Sequence, residues 1–438
     1  MRRILPMVSV CLAIALAPCA VAADEGPWRI VQAGQLLDRP GQPVRGAASV
    51  LIRGERIVEL RDGHLGADDF GLAQAELIDL REHFVLPGLI DSHVHLTSDL
   101  AGVAAQLAAV TRSQSDVAYE AALNARKTLD AGFTTVRNLG DRDGVIRALR
   151  DAINAGKVEG PRILTANTSI SATTGHADPT LGYRPELHDA IDRGENLCDG
   201  VESCRRAVRR QIAQGADLIK VTITGGVNSR IGTGLGAQMF EDEARAIFET
   251  AKLYDKRIAV HAHGADGINL ALRLGADSIE HGTLLDDAGL RLFRDSGAYY
   301  VPTLSTVNGY RERLAANPES YTGEVLAKIQ WRIGITGRSL ERAVPAGVKI
   351  AFGTDAGVSL HGRNADEFEL MVKHGMTPAQ AIVAATVNAA DLLGLGAEIG
   401  TLEPGKYADL VAVRGDPLSD VTRLKFVEHV VKGGVLVR

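Results

Sequence analysis

The segment Phe84-Val85-Leu86-Pro87-Gly88-Leu89-Ile90-Asp91-Ser92-His93-Val94-His95 reads as an apolar strand that ends in residues able to bind a metal. Seven further short apolar runs follow, at Thr134–Leu139, Arg162–Ala166, Leu218–Ile223, Arg257–Val260, Ser278–Glu280, Ala298–Val301 and Val348–Phe352. Amphipathic helical sequence separates each from the next. Eight strands alternating with helices between Phe84 and about Leu393 predict a (β/α)8 TIM barrel. A doubly wound sheet shows the same alternation, but the count of eight and the residues at the strand ends favour the barrel. In such barrels the chemistry gathers at the C-terminal ends of the strands.

Outward from this core the pattern changes. Residues 28–86 carry the strand-like runs Ala47–Ile52, Arg56–Leu60 and Glu76–Leu80, with Gly54-Glu55 placed for a tight hairpin. The other end repeats the theme, with strands at Ala408–Val413 and Val427–Val431 and a turn at Lys432-Gly433-Gly434. At the start, Arg2 and Arg3 precede an apolar run from Ile4 to Ala17, and Ala20-Val21-Ala22-Ala23 follows. That order of charge, short greasy core and small residues predicts a signal peptide over 1–23 and a periplasmic or secreted enzyme. The run is short for a bilayer span, so no stable membrane span is expected; an uncleaved anchor is the competing reading. Leu16-Ala17-Pro18-Cys19 resembles a lipobox only faintly, because Pro18 is a poor neighbour for a modified cysteine. Cleavage removes Cys11 and Cys19 and leaves Cys198 and Cys204. In an exported chain this close pair points to a disulfide pinning a loop, with two free thiols as the alternative.

Composition narrows the function. A hydrophobic share of 45% and a charged share of 23% over 438 residues exclude a disordered, collagen-like or polytopic membrane chain. A formal charge of -6 leaves no basic footprint for nucleic acid, and 4% aromatics are too few for a base-stacking platform.

The strand ends are polar in one consistent way. His93 and His95 are two apart in extended chain and aim to the same side. Lys220 sits among apolar residues in Leu218-Ile219-Lys220-Val221, an expensive place for an ammonium. As an ammonium it has donors and no acceptor; as the carbamate formed with carbon dioxide it would offer two oxygens to two cations. A salt-bridged lysine or a Schiff base are the alternatives, and neither accounts for the histidines. Val260-His261-Ala262-His263, Glu280-His281-Gly282 and Gly353-Thr354-Asp355 close three more runs. Imidazole and carboxylate donors suit borderline divalent ions such as zinc. Gly-x-Ser-x-Gly is absent, so no nucleophilic serine competes.

The ordered set Pro87–His95, Lys220, His261, His281 and Gly353-Thr354-Asp355 resembles the amidohydrolase superfamily. The tail Gly400-Thr401-Leu402-Glu403-Pro404-Gly405-Lys406-Tyr407-Ala408-Asp409-Leu410-Val411 is similar to that family's return into its small β-domain. The resemblance spans nearly all of the chain after the leader. It implies a barrel over 85–395 and a β-sandwich domain made from 24–84 plus 396–438. It also implies two divalent metal ions, zinc foremost, with cobalt and manganese also able to occupy such ligands. His93 and His95 would hold the more buried ion, Lys220 as carbamate would bridge both, and His261 and His281 would hold the second. Asp355 would bind the first ion and act as base. Deaminase-like members keep one metal and lack the lysine.

Within the superfamily, Thr224-Gly225-Gly226-Val227, His261-Ala262-His263-Gly264 and Gly175-His176-Ala177-Asp178 resemble the prolidase-like, imidazolonepropionase-related group. That group includes metallo-dipeptidases, carboxypeptidases and enzymes that cleave ochratoxin A, an amide of phenylalanine. The expectation is attack of a metal-bridging hydroxide on the amide before a C-terminal amino acid, in a dipeptide or N-acyl amino acid with a free carboxylate. His263 and His176 are candidates to touch the substrate, with His263 also catalytic, and Arg230 is a candidate carboxylate grip. Tyr183 and Tyr310 lie on candidate loops without an assigned role. His64, His83, His188, His361, His374 and His429 read as surface or packing residues. A cyclic amide or lactone hydrolase on the same metals is the competing enzyme; a binding protein without turnover is disfavoured by the complete ligand set. The resemblance further implies a homo-oligomer, up to an octamer.

Overall fold

The computed structural model describes residues 26–192, 196–230 and 234–438; the leader expected over 1–23 lies outside them. Four strands open the described chain: β1 (Trp28–Leu36), β2 (Ala48–Arg53), β3 (Arg56–Asp62) and β4 (Glu76–Pro87). β2 and β3 form the expected hairpin, Arg53 facing Arg56 across Gly54-Glu55.

Seven parallel barrel strands follow: β5 (Leu89–Val94), β6 (Phe133–Asn138), β7 (Arg162–Thr165), β8 (Ile219–Thr222), β9 (Ile258–Ala262), β10 (Ser278–His281) and β11 (Tyr299–Val301). Regular pairing links β5-β6-β7 and β8-β9-β10-β11. Single contacts close the ring. Ile170 N–H donates to Lys220 O at 2.8 Å, tying the segment after β7 to β8. The eighth run, Val348–Phe352, makes only an isolated bridge from Ile350 to Tyr300. It still fills the stave between β11 and β5, because Ala351 N–H donates to Tyr300 O and Ser92 N–H donates to Phe352 O. Helices pack outside. The helix Gln114–Asp130 starts on a capping box between Ser113 and Asp116 and turns Ala121, Ala125 and Leu129 inward at helical spacing. A fully buried leucine such as Leu129 contributes about 1.5–3 kcal/mol.

The chain end returns as β12 (Leu410–Val413), β13 (Val427–Lys432) and β14 (Val435–Leu436). These join the opening strands in one seven-stranded mixed sheet, ordered β14-β13-β12-β4-β1-β2-β3, around its own buried apolar cluster. Here the first run differs from its reading as one strand. Phe84–Pro87 pairs with β12 in the chain-end sheet, whereas Leu89 pairs with Phe133 in the barrel. The change falls at Gly88, where a Cβ would lie 2.2 Å from Thr134 Oγ1. Both halves are apolar, so hydropathy does not mark the switch.

Cys198 and Cys204 form a disulfide with a Cα–Cα distance of 4.8 Å. Cys198 N–H donates to Ser171 O, so the bond fastens the loop that carries His176 to the helix Val201–Ala213. No helix among the described residues is long and apolar enough to cross a membrane.

Candidate metal centre

The six candidate ligands come together at the C-terminal ends of the barrel strands, and the surrounding hydrogen bonds fix which nitrogen each imidazole offers. His93 Nδ1–H donates to Glu280 Oε2 at 2.9 Å, and His95 Nδ1–H donates to the Gly140 carbonyl at 3.1 Å. Their acceptors carry no proton, so Nε2 of each is the atom left for the site, 3.3 Å from Asp355 Oδ1; a proton shared there with the carboxylate marks the place a metal ion would take. His261 turns the other way, with Nε2–H toward the Gly225 carbonyl at 3.4 Å and Nδ1 open. His281 Nδ1 meets Thr303 Oγ1 at 2.8 Å, leaving Nε2. Burial pushes His261 and His281 well below the usual histidine range and keeps them neutral. Neutral imidazoles oriented by an outer acceptor are what a metal site requires. Donor atoms of His93, His281 and Asp355 lie within 4.8 Å of one another, and so do those of His261, His263 and His281.

Lys220 fits between these groups. It is 3% exposed, and its Nζ has no hydrogen-bond partner. Burial pushes the ammonium down to about 8, against the opposing pull of Glu280 and Asp355. An orphaned buried amine beside two sets of ring nitrogens suits a carbamate bridging two ions. Asp355 is held far below the carboxylate range: burial raises it, but His93 and His95 outweigh burial. Three strand-end residues, His281, Thr303 and Asp355, take φ of 71°, 48° and 58°. This left-handed turn re-aims side chains that a continuing strand would point elsewhere.

Beneath the histidines lies a buried charge plate that sequence reasoning missed. Arg137 on β6 donates to Glu280 Oε1 at 2.8 Å, to Ser278 Oγ and to the Ser92 carbonyl. Burial alone would raise Glu280, but Arg137 and then His93 bring it to about 2. Its pairing depends on barrel register, which the sequence does not display. Glu280→Gln is expected to destabilise the fold by about 3–5 kcal/mol near neutral pH, since it leaves Arg137 buried without a counter-charge. The sign follows from linkage. A depressed carboxylate stabilises above its ordinary 4.5 and loses that contribution as pH falls toward 2. Urea unfolding of both proteins from pH 7 to pH 3 should show the gap narrowing below about 4.5; a gap independent of pH would contradict this. Asp91, also buried, accepts from Thr354 Oγ1 at 2.7 Å and Asn364 Nδ2 at 2.7 Å and so braces the turn before Asp355.

Above the ligands a small pocket is lined by His176, His263, Tyr310, Arg332 and Asp355, among others. His176 Nδ1 is 2.7 Å from Ser229 Oγ, whose lone pair already accepts Gly226 N–H. Burial holds His176 neutral, at about 4, and the ring lines the pocket. Gly226 makes room for this ring: a Cβ there would lie 2.2 Å from it. His263 Nδ1 meets Thr283 Oγ1 at 2.8 Å. Arg230 is not brought to the pocket wall; its guanidinium lies 4.0 Å above the Tyr183 ring. Tyr310 does reach the pocket, as does Arg332, which sequence reasoning did not single out.

A barrel with two clusters of imidazole donors around a buried lysine defines a metal-dependent hydrolase of the amidohydrolase type, and the chain belongs to the amidohydrolase family, whose profile matches residues 84–437. It is 32% identical to an ochratoxinase of Aspergillus niger over 98% of this chain and 91% of that protein. A solved Xaa-Pro dipeptidase with methionine bound in its active site superposes with a TM-score of 0.88 at 39% identity, covering 94% of this chain and all of that one. A prolidase complexed with N-methylphosphonate-L-proline gives 0.83 at 32% identity, covering 94% and 99%.

Proposed function

We propose that the chain is an exported two-metal amidohydrolase that releases a C-terminal amino acid from a dipeptide or an N-acyl amino acid, ochratoxin A-like substrates included. The observation that carries this reading is the convergence of tautomer-locked imidazoles on the unpartnered Lys220 amine. His93, His95 and Asp355 would hold one ion and His261 and His281 the other, with zinc the expected metal and Lys220 carbamate between them. When bound, the two cations supply a water acidified toward neutrality and polarise the scissile carbonyl.

The remaining work falls to side chains. Asp355, ionised throughout the neutral range, accepts the proton of the attacking water and returns it to the leaving nitrogen. His176 would donate Nε2–H toward the developing oxyanion or a substrate carbonyl in the tautomer in which Ser229 gives its proton to Nδ1. His263, held by Thr283, faces the same pocket and can do likewise. The solved relatives that hold methionine or a proline phosphonate support an amino-acid leaving group. Export is supported by the leader and by the Cys198–Cys204 bond, which belongs to an oxidising compartment. A homo-oligomer is proposed on the family resemblance.

The test couples metal content to turnover on a panel of dipeptides, N-acyl amino acids, lactams and lactones. The expected result is near two divalent ions per chain and chelator-sensitive release of an amino acid, restored by zinc. One ion or none in active protein would overturn the two-metal reading; activity confined to ring substrates would overturn the peptidase-like one.

A further inference from the structure

A second group of metal-binding side chains stands outside the barrel, in the chain-end sheet. We propose that His83, Glu428 and His429 form an exchangeable site for a borderline divalent cation, zinc foremost. The ion would clamp β13 to β4 and take no part in turnover.

His83 lies on β4, and Glu428 and His429 lie on β13, with β12 between the two strands. Consecutive strand residues point to opposite faces, so a regular β13 could not offer both Glu428 and His429 to one partner. The strand is bulged there. Ala412 pairs with His429 and Val413 with Val427, which leaves Glu428 as the extra residue. A bulge re-aims the side chains around it. β4 is irregular at the adjoining register. Ala33 pairs with Leu80 and Gln35 with Phe84, so Arg81, Glu82 and His83 stand opposite the single Gly34. A Cβ on Gly34 would lie 2.2 Å from the Arg81 carbonyl oxygen, so this close approach requires glycine.

The two irregularities bring the three side chains together. One donor atom from each of His83, Glu428 and His429 lies within 4.8 Å of the other two. His83 Nε2 is 2.9 Å from Glu428 Oε2, and the His83 and His429 rings meet edge to face at a centroid distance of 5.0 Å. His83 is 7% exposed, whereas the Glu428 side chain reaches solvent, so the cluster has a buried floor and an open mouth. Two imidazoles and a carboxylate are a zinc donor set that leaves a fourth position for water. Arg414 also holds Glu428, at 3.1 Å, but it is an exposed cation in a weak surface pair. His83 Nδ1 is buried and has no hydrogen-bond partner among the described residues. A ligand imidazole usually donates its other N–H to an outer acceptor, and losing that partner lowers affinity about 10–100-fold. The site is therefore weaker than the one on the barrel rim, and its ion exchanges. Gly132, which leads into β6, would place a Cβ 3.0 Å from Val427. β13 thus packs at the N-terminal ends of the barrel strands, away from the rim that carries the catalytic candidates.

The test starts from metal-loaded protein freed of excess zinc by gel filtration. Zinc is then titrated by calorimetry into wild type, His83→Gln, Glu428→Gln, His429→Gln and Arg414→Gln. Wild type should take up one further equivalent. Each of the first three variants should weaken that step at least about tenfold, since even an outer partner of a ligand is worth as much. Arg414→Gln should tighten it, because a competing cation is gone. Zinc at a hundred times its Kd should raise the wild-type Tm by about 3 °C and leave that of Glu428→Gln unmoved. The kcat/KM of the loaded protein should be the same with and without the further ion. Glu428 and His429 are only half-buried, so their variants decide the matter even if His83→Gln fails to fold. Absence of a further equivalent in wild type would overturn the proposal. So would a further equivalent that survives both Glu428→Gln and His429→Gln, which would be adventitious surface binding. A zinc-dependent change in kcat/KM that Glu428→Gln abolishes would overturn the clamping role.

Discussion

Lys220→Ala is expected to lower kcat/KM by at least about a thousandfold, because it removes several kcal/mol of cation-borne stabilisation from the transition state. The side chain makes no hydrogen bond in the structure, so its removal breaks no visible contact. A packing role would therefore cost little beyond a small cavity. The carbamate role predicts more: metal content should fall from two ions toward one, and the loss should be relieved by a short carboxylic acid such as acetate, which can enter the vacated space and offer the same two oxygens. Elemental analysis with kinetics at increasing acetate checks both. Full metal content with activity above a tenth of wild type would end the bridging assignment.

Asp355→Asn should lower kcat by roughly 10²–10⁴-fold, the range for losing a positioned general base. As a proposed ligand of a divalent cation beside His93 and His95, the carboxylate is expected to be ionised at every working pH. An acid limb in the kcat/KM profile near neutral pH therefore belongs to another group. The substitution should reduce the whole profile without moving that limb. Its measurement is a pH–rate profile of both proteins at saturating metal, with metal content determined alongside because Asp355 is also a proposed ligand. A variant that keeps wild-type kcat once fully loaded would remove the base role.

Much of the site was legible because its chemistry is misplaced. Histidines, an aspartate and a lysine at the ends of apolar runs violate the burial preferences of strands, and eight such runs locate them on one rim. The structure places His93, His95, Lys220, His261, His281 and Asp355 on that rim, and the chain ends share one sheet, as the family resemblance implied. What was hidden depends on three-dimensional register. Glu280 pairs with Arg137 across β6 and β10, strands far apart in sequence. Arg332 arrives from a helix some thirty residues beyond its strand, where an arginine looks like any exposed helical charge. Arg230 had the more suggestive setting, on a glycine-rich loop, yet stacks on Tyr183. The Gly88 switch between sheets left no mark because both neighbouring stretches are buried and apolar.

The left-handed residues at the rim bear on how the protein could be improved. Thr303 is a buried β-branched residue at φ 48°, a conformation that costs an L-residue about 1–2 kcal/mol and glycine almost nothing. A search for thermostable variants would find Thr303→Gly attractive on backbone grounds. The same change deletes the hydroxyl that orients His281, so robustness gained there would be taken from the catalyst. Safer gains lie in the surface helices and the chain-end sheet, away from the mouth of the barrel.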